Sequence, residues 1–279
     1  MRNFLFVPGN NPKMLSCANF LGSDAIVLDL EDAVAPLEKD AARILVRNAI
    51  KALNYEVRWG VRINSLDTSY WEKDLEEILP LNPSFIMLPK AGSAEDIRKL
   101  VLKMLSIMGT KCQTTIIALV ETAIGIENAF NIATADARVE ALFLGAEDLT
   151  ANLCAIRTKS SEEILYSRGR IVSAARAAGI DAYDTPFTDV NDEEMLKKDA
   201  TLARQIGFTG KSAINPRQLE IINSVFTPSE AEVSYAQAVL DAIAEGERKG
   251  LGAVALKGKM IDAPVVTRAK YILKLVSGL

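Results

Sequence analysis

Histidine is absent from this 279-residue chain. Without an imidazole, the protein has neither a Ser-His-Asp triad nor a Cys-His pair for nucleophilic catalysis, and no metal can bind through histidine nitrogens. Proton transfer must therefore depend on carboxylates, lysine, tyrosine, cysteine or a metal-bound water.

Cysteine is also scarce. The three cysteines, Cys17, Cys112 and Cys154, lie far apart, and no two of them form a CxxC pair. This spacing argues against a disulfide framework and against a zinc knuckle, and it favours free thiols in a reducing compartment.

Long apolar runs and an excess of basic residues are missing as well. No run approaches the roughly 20 residues of a membrane span, and the N-terminal residues do not follow the signal-peptide pattern. Lys and Arg number 32 against 36 Asp and Glu, a net charge of −4. Since phosphate binding usually needs a basic excess, we do not expect nucleic acid as a partner. The missing membrane span and signal-peptide pattern predict a cytoplasmic protein without a membrane partner.

The chain instead contains short apolar runs that alternate with longer amphipathic segments. Several runs lack the alternation of a half-exposed strand, which is typical of parallel strands buried on both faces. Eight strand–helix pairs over about 220 residues match a (β/α)₈ TIM barrel, so we predict an α/β protein of this class. A doubly wound sheet is the alternative, but no GxGxxG motif supports it.

We predict the barrel over residues 1–225 and a C-terminal helical extension over 226–279. The predicted strands are Phe4–Val7, Ala25–Leu30, Trp59–Ile63, Phe85–Leu88, Thr115–Val120, Ala141–Leu144, Asp181–Tyr183 and Phe208–Ile214. The predicted barrel helices are Glu38–Leu53, Ser93–Met108, Ile124–Ala133, Ser161–Ala178 and Asp192–Ile206. The extension is predicted to contain helices at Pro228–Lys249 and Pro264–Val276, with a glycine-rich turn region at Gly250–Gly258 between them.

Active sites of such barrels lie where the strands end. Asp29, Glu31 and Asp32 follow the second strand, and Arg62 ends the third. Carboxylates this close repel one another unless a metal or an arginine is near. Arg62 is therefore expected to face Glu31 or a substrate anion, while Asp32 has the alternative of capping the next helix.

A second acidic group follows the fifth and sixth strands. Glu121 ends one strand, and Glu147 and Asp148 follow the next. Because adjacent strands are about 4.8 Å apart, Glu121 and Asp148 can bind one hard cation. With oxygen ligands only, Mg²⁺ is the natural choice. Pairing of these carboxylates with Arg62 and Lys90 is the alternative.

Two further segments are candidates for substrate binding. The Pro8–Pro12 loop has two prolines, a glycine and two asparagines, which suit main-chain binding of a carboxylate, phosphate or amide. An ordinary turn is the alternative. Lys90 ends the fourth strand as a cation that either binds substrate or is simply solvated.

These residues lie in motifs that resemble the citrate lyase β-subunit family. That family belongs to the HpcH/HpaI aldolase and CoA-ester lyase group and also includes malyl-, citramalyl- and β-methylmalyl-CoA lyases. VPGNNP, INP and MIDAPVV are more similar to the citrate lyase branch than to the free-standing lyases. The matching segments are FVPGNNPKML, DAIVLDLEDAVAPLEKDAAR, VRINSLDT, IMLPKAGSAEDI, ALVETAIGI, LFLGAEDLTANL, GKSAINPRQL and GKMIDAPVV.

The resemblance implies a TIM barrel that cleaves a citryl thioester, on an acyl-carrier protein or CoA, to oxaloacetate and an acetyl thioester. It implies Glu121 and Asp148 as Mg²⁺ ligands and Arg62 as the residue facing the oxo-acid, with Glu31 and Asp32 behind it. Asp262 would be delivered by the C-terminal extension to a neighbouring subunit, as a proton donor. The substrate-binding set that follows is Arg62, Glu147, Asp148, Pro8, Asn11, Lys13 and Lys90.

The resemblance also implies partners. They are the acyl-transferase (α) and acyl-carrier (γ) subunits of citrate lyase and further copies of the chain in a homotrimer or hexamer. A stand-alone citramalyl- or malyl-CoA lyase is one alternative, and a catalytically silent acyl-thioester-binding subunit is another. Asp262 has a local alternative as well, because Asp-Ala-Pro suits the start of a helix.

Overall fold

The computed structural model describes residues 1–249, 254–256 and 258–277. These residues form two compact units, Met1–Asn223 and Ser224–Leu279. No helix within the described residues is both long and apolar enough to cross a membrane.

Eight parallel strands form a closed barrel in the first unit, which confirms the predicted TIM-barrel fold. Closure comes from β1, which pairs with both β2 and β8. The second, fourth and fifth strands are almost wholly buried, as their largely apolar sequences require. They are β1 Asn3–Pro8, β2 Ala25–Asp29, β3 Arg58–Arg62, β4 Phe85–Leu88, β5 Thr115–Val120, β6 Val139–Leu144, β7 Asp181–Asp184 and β8 Gly210–Ala213.

Helices surround the barrel, and polar side chains begin several of them. Ser93 and Asp96 form a capping box at α4, and the Asp192 side chain accepts a hydrogen bond at the start of α9. The helices of this unit are α1 Pro12–Cys17, α2 Lys39–Leu53, α3 Trp71–Ile78, α4 Ala94–Met108, α5 Ala123–Glu127, α6 Ala129–Ala133, α7 Ala146–Asn152, α8 Leu165–Ala178 and α9 Glu193–Ile206. The next helix, α10 Gln218–Phe226, extends past the boundary between the units.

Several predicted elements differ from the structure in their bounds. The helix predicted over Ile124–Ala133 is divided at Asn128 into α5 and α6. The helix predicted from Ser161 begins at Leu165, because Ser161 has a left-handed backbone (φ +58°) and a 3₁₀ turn follows it. The last strand is shorter than predicted, covering only Gly210–Ala213.

Aromatic rings fill the barrel interior. Phe4 lies at the centre, with ring centroids 5.8 Å from Phe85, 5.6 Å from Phe143 and 4.5 Å from Tyr183. All four side chains are buried, and the contacts have the edge-to-face geometry that aromatic pairs prefer. The barrel is therefore a packed core, and chemistry is restricted to its mouth.

The second unit contains two helices and a short hairpin. Ser229 and Glu232 form a capping box at the first helix, and the helices pack around Val239, Ile261 and Ala269. Most of the predicted glycine-rich turn, Gly250–Gly258, lies outside the described residues. Residues 254–256 within it form a strand. The elements are α11 Glu230–Arg248, β9 Val254–Leu256, β10 Lys259–Ile261 and α12 Ala263–Ser277.

Gly60 in β3 offers a test of the packed barrel. A Cβ built there would lie 2.4 Å from the Phe85 ring, whereas one built at Gly169 in α8 meets no atom within 4 Å. We expect Gly60→Ala to lower the free energy of unfolding by about 1–3 kcal/mol through overpacking. Gly169→Ala should raise it by about 0.5–1 kcal/mol through helix propensity. Urea unfolding measures both, and equal stability of the Gly60→Ala and wild-type proteins would contradict the close approach.

Candidate active site

A cavity of about 480 Å³ opens at the carboxyl end of the barrel strands. Its lining includes the apolar side chains of Phe6, Phe143 and Ile214 as well as several carboxylates. The predicted residues that line it are Pro8, Asp32, Arg62, Glu121, Glu147 and Asp148. The structure therefore brings six of the sequence-predicted residues to one cavity.

Arg62 is held by a bidentate ion pair with Asp29. Its Nε lies 2.7 Å from Asp29 Oδ1 and its Nη2 lies 2.6 Å from Oδ2. The guanidinium also lies over the Phe6 ring, 5.2 Å from the centroid. Burial alone would raise the pKa of Asp29, but Arg62 and the main-chain N–H groups of Glu31 and Ala33 lower it below its ordinary value.

Glu31 and Asp32 also contact Arg62, but less closely. Arg62 Nη1 lies 3.1 Å from Glu31 Oε2 and 3.2 Å from Asp32 Oδ2. The sequence pattern favours Glu31 as the partner of Arg62, and this ion pair is present, but Asp29 makes the closer, bidentate pair. The reason is register, since Asp29 of β2 lies directly beside Arg62 of β3. The strand order together with this register is the signal that would have identified Asp29.

Lys39 is a further residue of the site that the sequence motifs do not single out. It begins α2 and is buried, and its ammonium donates to the main-chain oxygens of Leu30 (2.8 Å) and Glu31 (2.7 Å). A buried ammonium needs such acceptors, because its charge has lost water. Lys39 thereby fixes the turn that carries Glu31 and Asp32.

Glu121 is buried at the end of β5, and its position depends on a neighbouring glycine. Its Oε1 accepts a hydrogen bond from the Lys90 main-chain N–H at 2.8 Å. A Cβ at Gly145 would lie 2.5 Å from Glu121 Oε2, so only glycine leaves room for the carboxylate. Burial raises the pKa of Glu121 to about 8, with a contribution from the charge of Glu31.

Glu31 has a raised pKa for similar reasons. Burial and the nearby Asp32 raise it to about 7, although Arg62 and Lys90 lower it in part. Glu31 and Glu121 are therefore two buried carboxyl groups whose negative charges are only partly balanced by nearby cations.

Asp148 and Glu147 lie in the first turn of α7, directly after β6. Asp148 is half-exposed, and its Oδ2 lies 3.8 Å from the Lys90 ammonium. The same ammonium lies 3.5 Å from Glu31 Oε1, and Lys90 has a left-handed backbone with φ +53°. Glu147 is turned partly away, in an ion pair with Arg157 at 3.0 Å.

The donor set of this site fits Mg²⁺. Glu121 and Asp148 supply only oxygen atoms, and Gly145 leaves space beside Glu121 Oε2. In the part of the chain that the structure describes, no three His, Cys, Asp or Glu side chains form a complete metal cluster. A site with one or two carboxylates, completed by water and substrate, is the arrangement that Mg²⁺ usually takes.

Four further predicted residues do not line this cavity. Asn11 caps α1 by accepting from the Met14 N–H at 3.1 Å, and Lys13 is exposed on the same helix. Lys90 lines a neighbouring cavity of about 530 Å³. Asp262, in the second unit, accepts from the Val265 N–H at 3.1 Å, so within its own chain it caps α12.

Comparison with known proteins agrees with this geometry. Residues 2–216 match the family model described as HpcH/HpaI aldolase/citrate lyase. The chain belongs to this family. Since aldolases and citrate lyases cleave carbon–carbon bonds, the prediction of a carbon–carbon lyase is confirmed at the level of the family.

Relatives within the family are similar over nearly the whole chain. The citrate lyase subunit beta of Leuconostoc mesenteroides subsp. cremoris is 42% identical, covering 99% of this chain and 93% of the relative. The L-malyl-CoA/beta-methylmalyl-CoA lyase of Rhodobacter capsulatus is 34% identical, covering 97% and 92%. CitE from Mycobacterium tuberculosis, crystallised with magnesium, acetoacetate and coenzyme A, is 32% identical with a TM-score of 0.82, covering 99% of this chain and 98% of that chain.

The raised pKa of Glu121 predicts a pH-dependent stability. Its folded pKa is about 8 against an ordinary value of 4.5. The folded state therefore holds a proton that the unfolded chain has released, and the stability that this provides is complete below about pH 4.5 and lost as the pH rises through about 8. With a chelator present, we expect the thermal midpoint to fall between about pH 5 and pH 8, and to fall less in Glu121→Gln.

The exposed Glu56 provides the matched control. Glu56→Gln should follow the wild-type curve of thermal midpoint against pH. A Glu121→Gln curve that coincides with the wild-type curve would contradict the raised pKa of Glu121.

Proposed function

We propose that this protein is a Mg²⁺-dependent lyase that cleaves a citryl thioester, linked to an acyl-carrier protein or CoA, to oxaloacetate and an acetyl thioester. The observation that carries the proposal is one cavity lined by Arg62, Glu121 and Asp148, with Arg62 fixed by Asp29. The similarity to citrate lyase subunit beta at 42% identity supports the citryl group over other acyl groups.

Arg62 is the residue that binds the oxo-acid half of the substrate. Its guanidinium is fixed before the substrate arrives, so no reorganisation is needed when negative charge develops beside it. Glu31 and Asp32 limit its movement on the other side. Burial of Arg62 strengthens its interaction with the negative charge of the substrate, because a buried charge is less screened by water.

Glu121 and Asp148 would hold the metal. Mg²⁺ bound there would act as a Lewis acid and a template for the oxygens of the oxo-acid. Binding of a divalent cation would also lower the pKa of Glu121 from its raised value and keep the carboxylate ionised at neutral pH. Glu147 would contact the substrate from the same first turn of α7.

The thioester arm needs polar contacts at the rim of the cavity. Pro8 lines the cavity, and the Asn11 cap makes the following turn rigid. Lys13 and Lys90 supply positive charge for the anionic groups of a CoA or carrier-linked arm. These four residues form the proposed binding path for the arm.

Asp262 is proposed as the proton donor to the acetyl enolate in a neighbouring subunit of a homotrimer or hexamer. An exposed carboxyl in the second unit is free to approach another subunit. Its hydrogen bond to the Val265 N–H would hold the carboxyl at a defined position at the start of α12. The acyl-transferase and acyl-carrier subunits of citrate lyase are the proposed protein partners, in the cytoplasm.

A stand-alone citramalyl- or malyl-CoA lyase is the second candidate. It is favoured by the 34% identity to the L-malyl-CoA/beta-methylmalyl-CoA lyase and by the coenzyme A bound in the CitE crystal structure. Both candidates use the same site residues, so the substrate must be tested directly.

Product analysis distinguishes the two functions. Purified protein is offered citryl-, citramalyl- and malyl-CoA with and without Mg²⁺, and the products are identified by mass spectrometry. We expect oxaloacetate and acetyl-CoA from citryl-CoA, only with Mg²⁺ and faster than cleavage of the other two. Glu121→Gln and Asp148→Asn should reduce the rate by a factor of about 100 or more, because each loses a metal ligand.

Glu56→Gln should retain the wild-type rate in this assay. Faster release of pyruvate from citramalyl-CoA, or of glyoxylate from malyl-CoA, would favour the second candidate. Failure to cleave any of the three CoA thioesters, and likewise citryl linked to an acyl-carrier protein, would overturn the proposed lyase function.

Mixing of inactive subunits tests the role of Asp262. Asp262→Asn and Glu121→Gln subunits, each inactive alone, should regain part of the activity in mixed oligomers if the two residues serve one site from different chains. A mixture of Glu121→Gln with Asp148→Asn should regain none, because both residues belong to the same barrel. Mixed Asp262→Asn and Glu121→Gln oligomers that form but stay inactive would contradict the role in a neighbouring subunit.

A further inference from the structure

The start of α7 lacks a capping side chain of its own. The N-cap position is Gly145, where the structure shows no side-chain hydrogen bond. Serine, threonine, aspartate and asparagine are preferred there, because their oxygens accept from the unpaired N–H groups of the first turn. A capping side chain at position 145 is excluded, because its Cβ would lie 2.5 Å from Glu121 Oε2.

Thr185, which lies outside the helix, supplies an acceptor for the first of these N–H groups. It follows β7 and is fully buried, and its Oγ1 accepts a hydrogen bond from the Ala146 N–H at 3.0 Å. Ala146 is the first residue of α7, and Asp148 lies two residues farther on. Thr185 also lines the cavity, so the hydroxyl lies between the barrel wall and the helix that carries Asp148.

A buried ionic cluster fixes Thr185 itself. Lys211 of β8 donates to the Thr185 main-chain oxygen at 2.7 Å and to Asp184 Oδ2 at 2.6 Å. Arg168 of α8 binds both Asp184 and Asp199 of α9, each at 2.8 Å. Two cations and two anions are thus paired without access to water, which makes displacement of any one of them costly.

We propose that Thr185 is a positioning residue of the metal site, whose hydroxyl accepts from the first N–H of α7, a helix without an N-cap side chain, and thereby holds Asp148 in place beside Glu121. The inference rests on the proposed function only in taking Asp148 as a metal ligand. The structural part, the cap of α7 by Thr185, is independent of the substrate.

The test compares Thr185→Val with Thr185→Ser. Valine keeps the shape of threonine but removes the acceptor, whereas serine keeps the acceptor. Titration of the protein with Mg²⁺ alone, in a calorimeter, should show affinity weakened about tenfold in Thr185→Val and close to wild type in Thr185→Ser, the effect typical of outer-sphere contacts. Hydrogen exchange of the first turn of α7 should be faster in Thr185→Val only.

Thr114→Val is the matched control. Thr114 is also buried, and its hydroxyl donates to the Pro83 main-chain oxygen at 2.9 Å just before β5, away from the barrel mouth. That variant should lose stability without changing Mg²⁺ affinity or exchange in α7. If Thr185→Val binds Mg²⁺ and exchanges like the wild type, the positioning role is overturned. If the wild type binds no Mg²⁺, the proposed function fails, and the exchange rates still decide whether Thr185 caps α7.

Discussion

The bidentate pair between Arg62 and Asp29 is the interaction on which the rest of the site depends. Both side chains are buried, and loss of one partner from such a pair typically costs about 3–5 kcal/mol. The pair exists because β2 and β3 are neighbours with these two residues in register. Two of its nitrogens are bound to Asp29, and the third lies near Glu31 and Asp32, so the positive charge of Arg62 stays at the barrel mouth.

The barrel mouth nevertheless holds more carboxylates than its cations, Arg62 and Lys90, can balance. Glu121 and Glu31 have pKa values raised to about 8 and about 7, chiefly by burial and with the charges of nearby carboxylates adding to it. A site of this kind gains from a divalent cation, which would restore the balance and keep the acids ionised. The match to the HpcH/HpaI aldolase/citrate lyase family, in which a CitE structure contains magnesium, agrees with this electrostatic argument.

Glu121 also constrains the residues around it, and a residue that follows another strand offsets that constraint. Glu121 requires glycine at position 145, and α7 then needs an acceptor from outside the helix. Two buried lysines act alike at different strands of the barrel: Lys39 binds the main-chain oxygens after β2, and Lys211 binds one after β7. Main-chain contacts of these lysines therefore help to hold the loops at the mouth, in addition to the ion pairs that the acidic side chains make there.

The amino-acid sequence alone was enough to predict the barrel and to place the candidate site residues near the ends of its strands. Both follow from local patterns: the apolar runs have the length of buried strands, and polar residues occur where each run ends. The absence of histidine likewise pointed to oxygen ligands for a metal. The tertiary fold, by contrast, was needed to establish that Asp29 is the principal partner of Arg62, that Gly145 makes room for Glu121, and that Thr185 and Lys211 support α7 from other strands. The physical reason is that these contacts depend on register and on packing between elements far apart in sequence, which a local pattern does not contain.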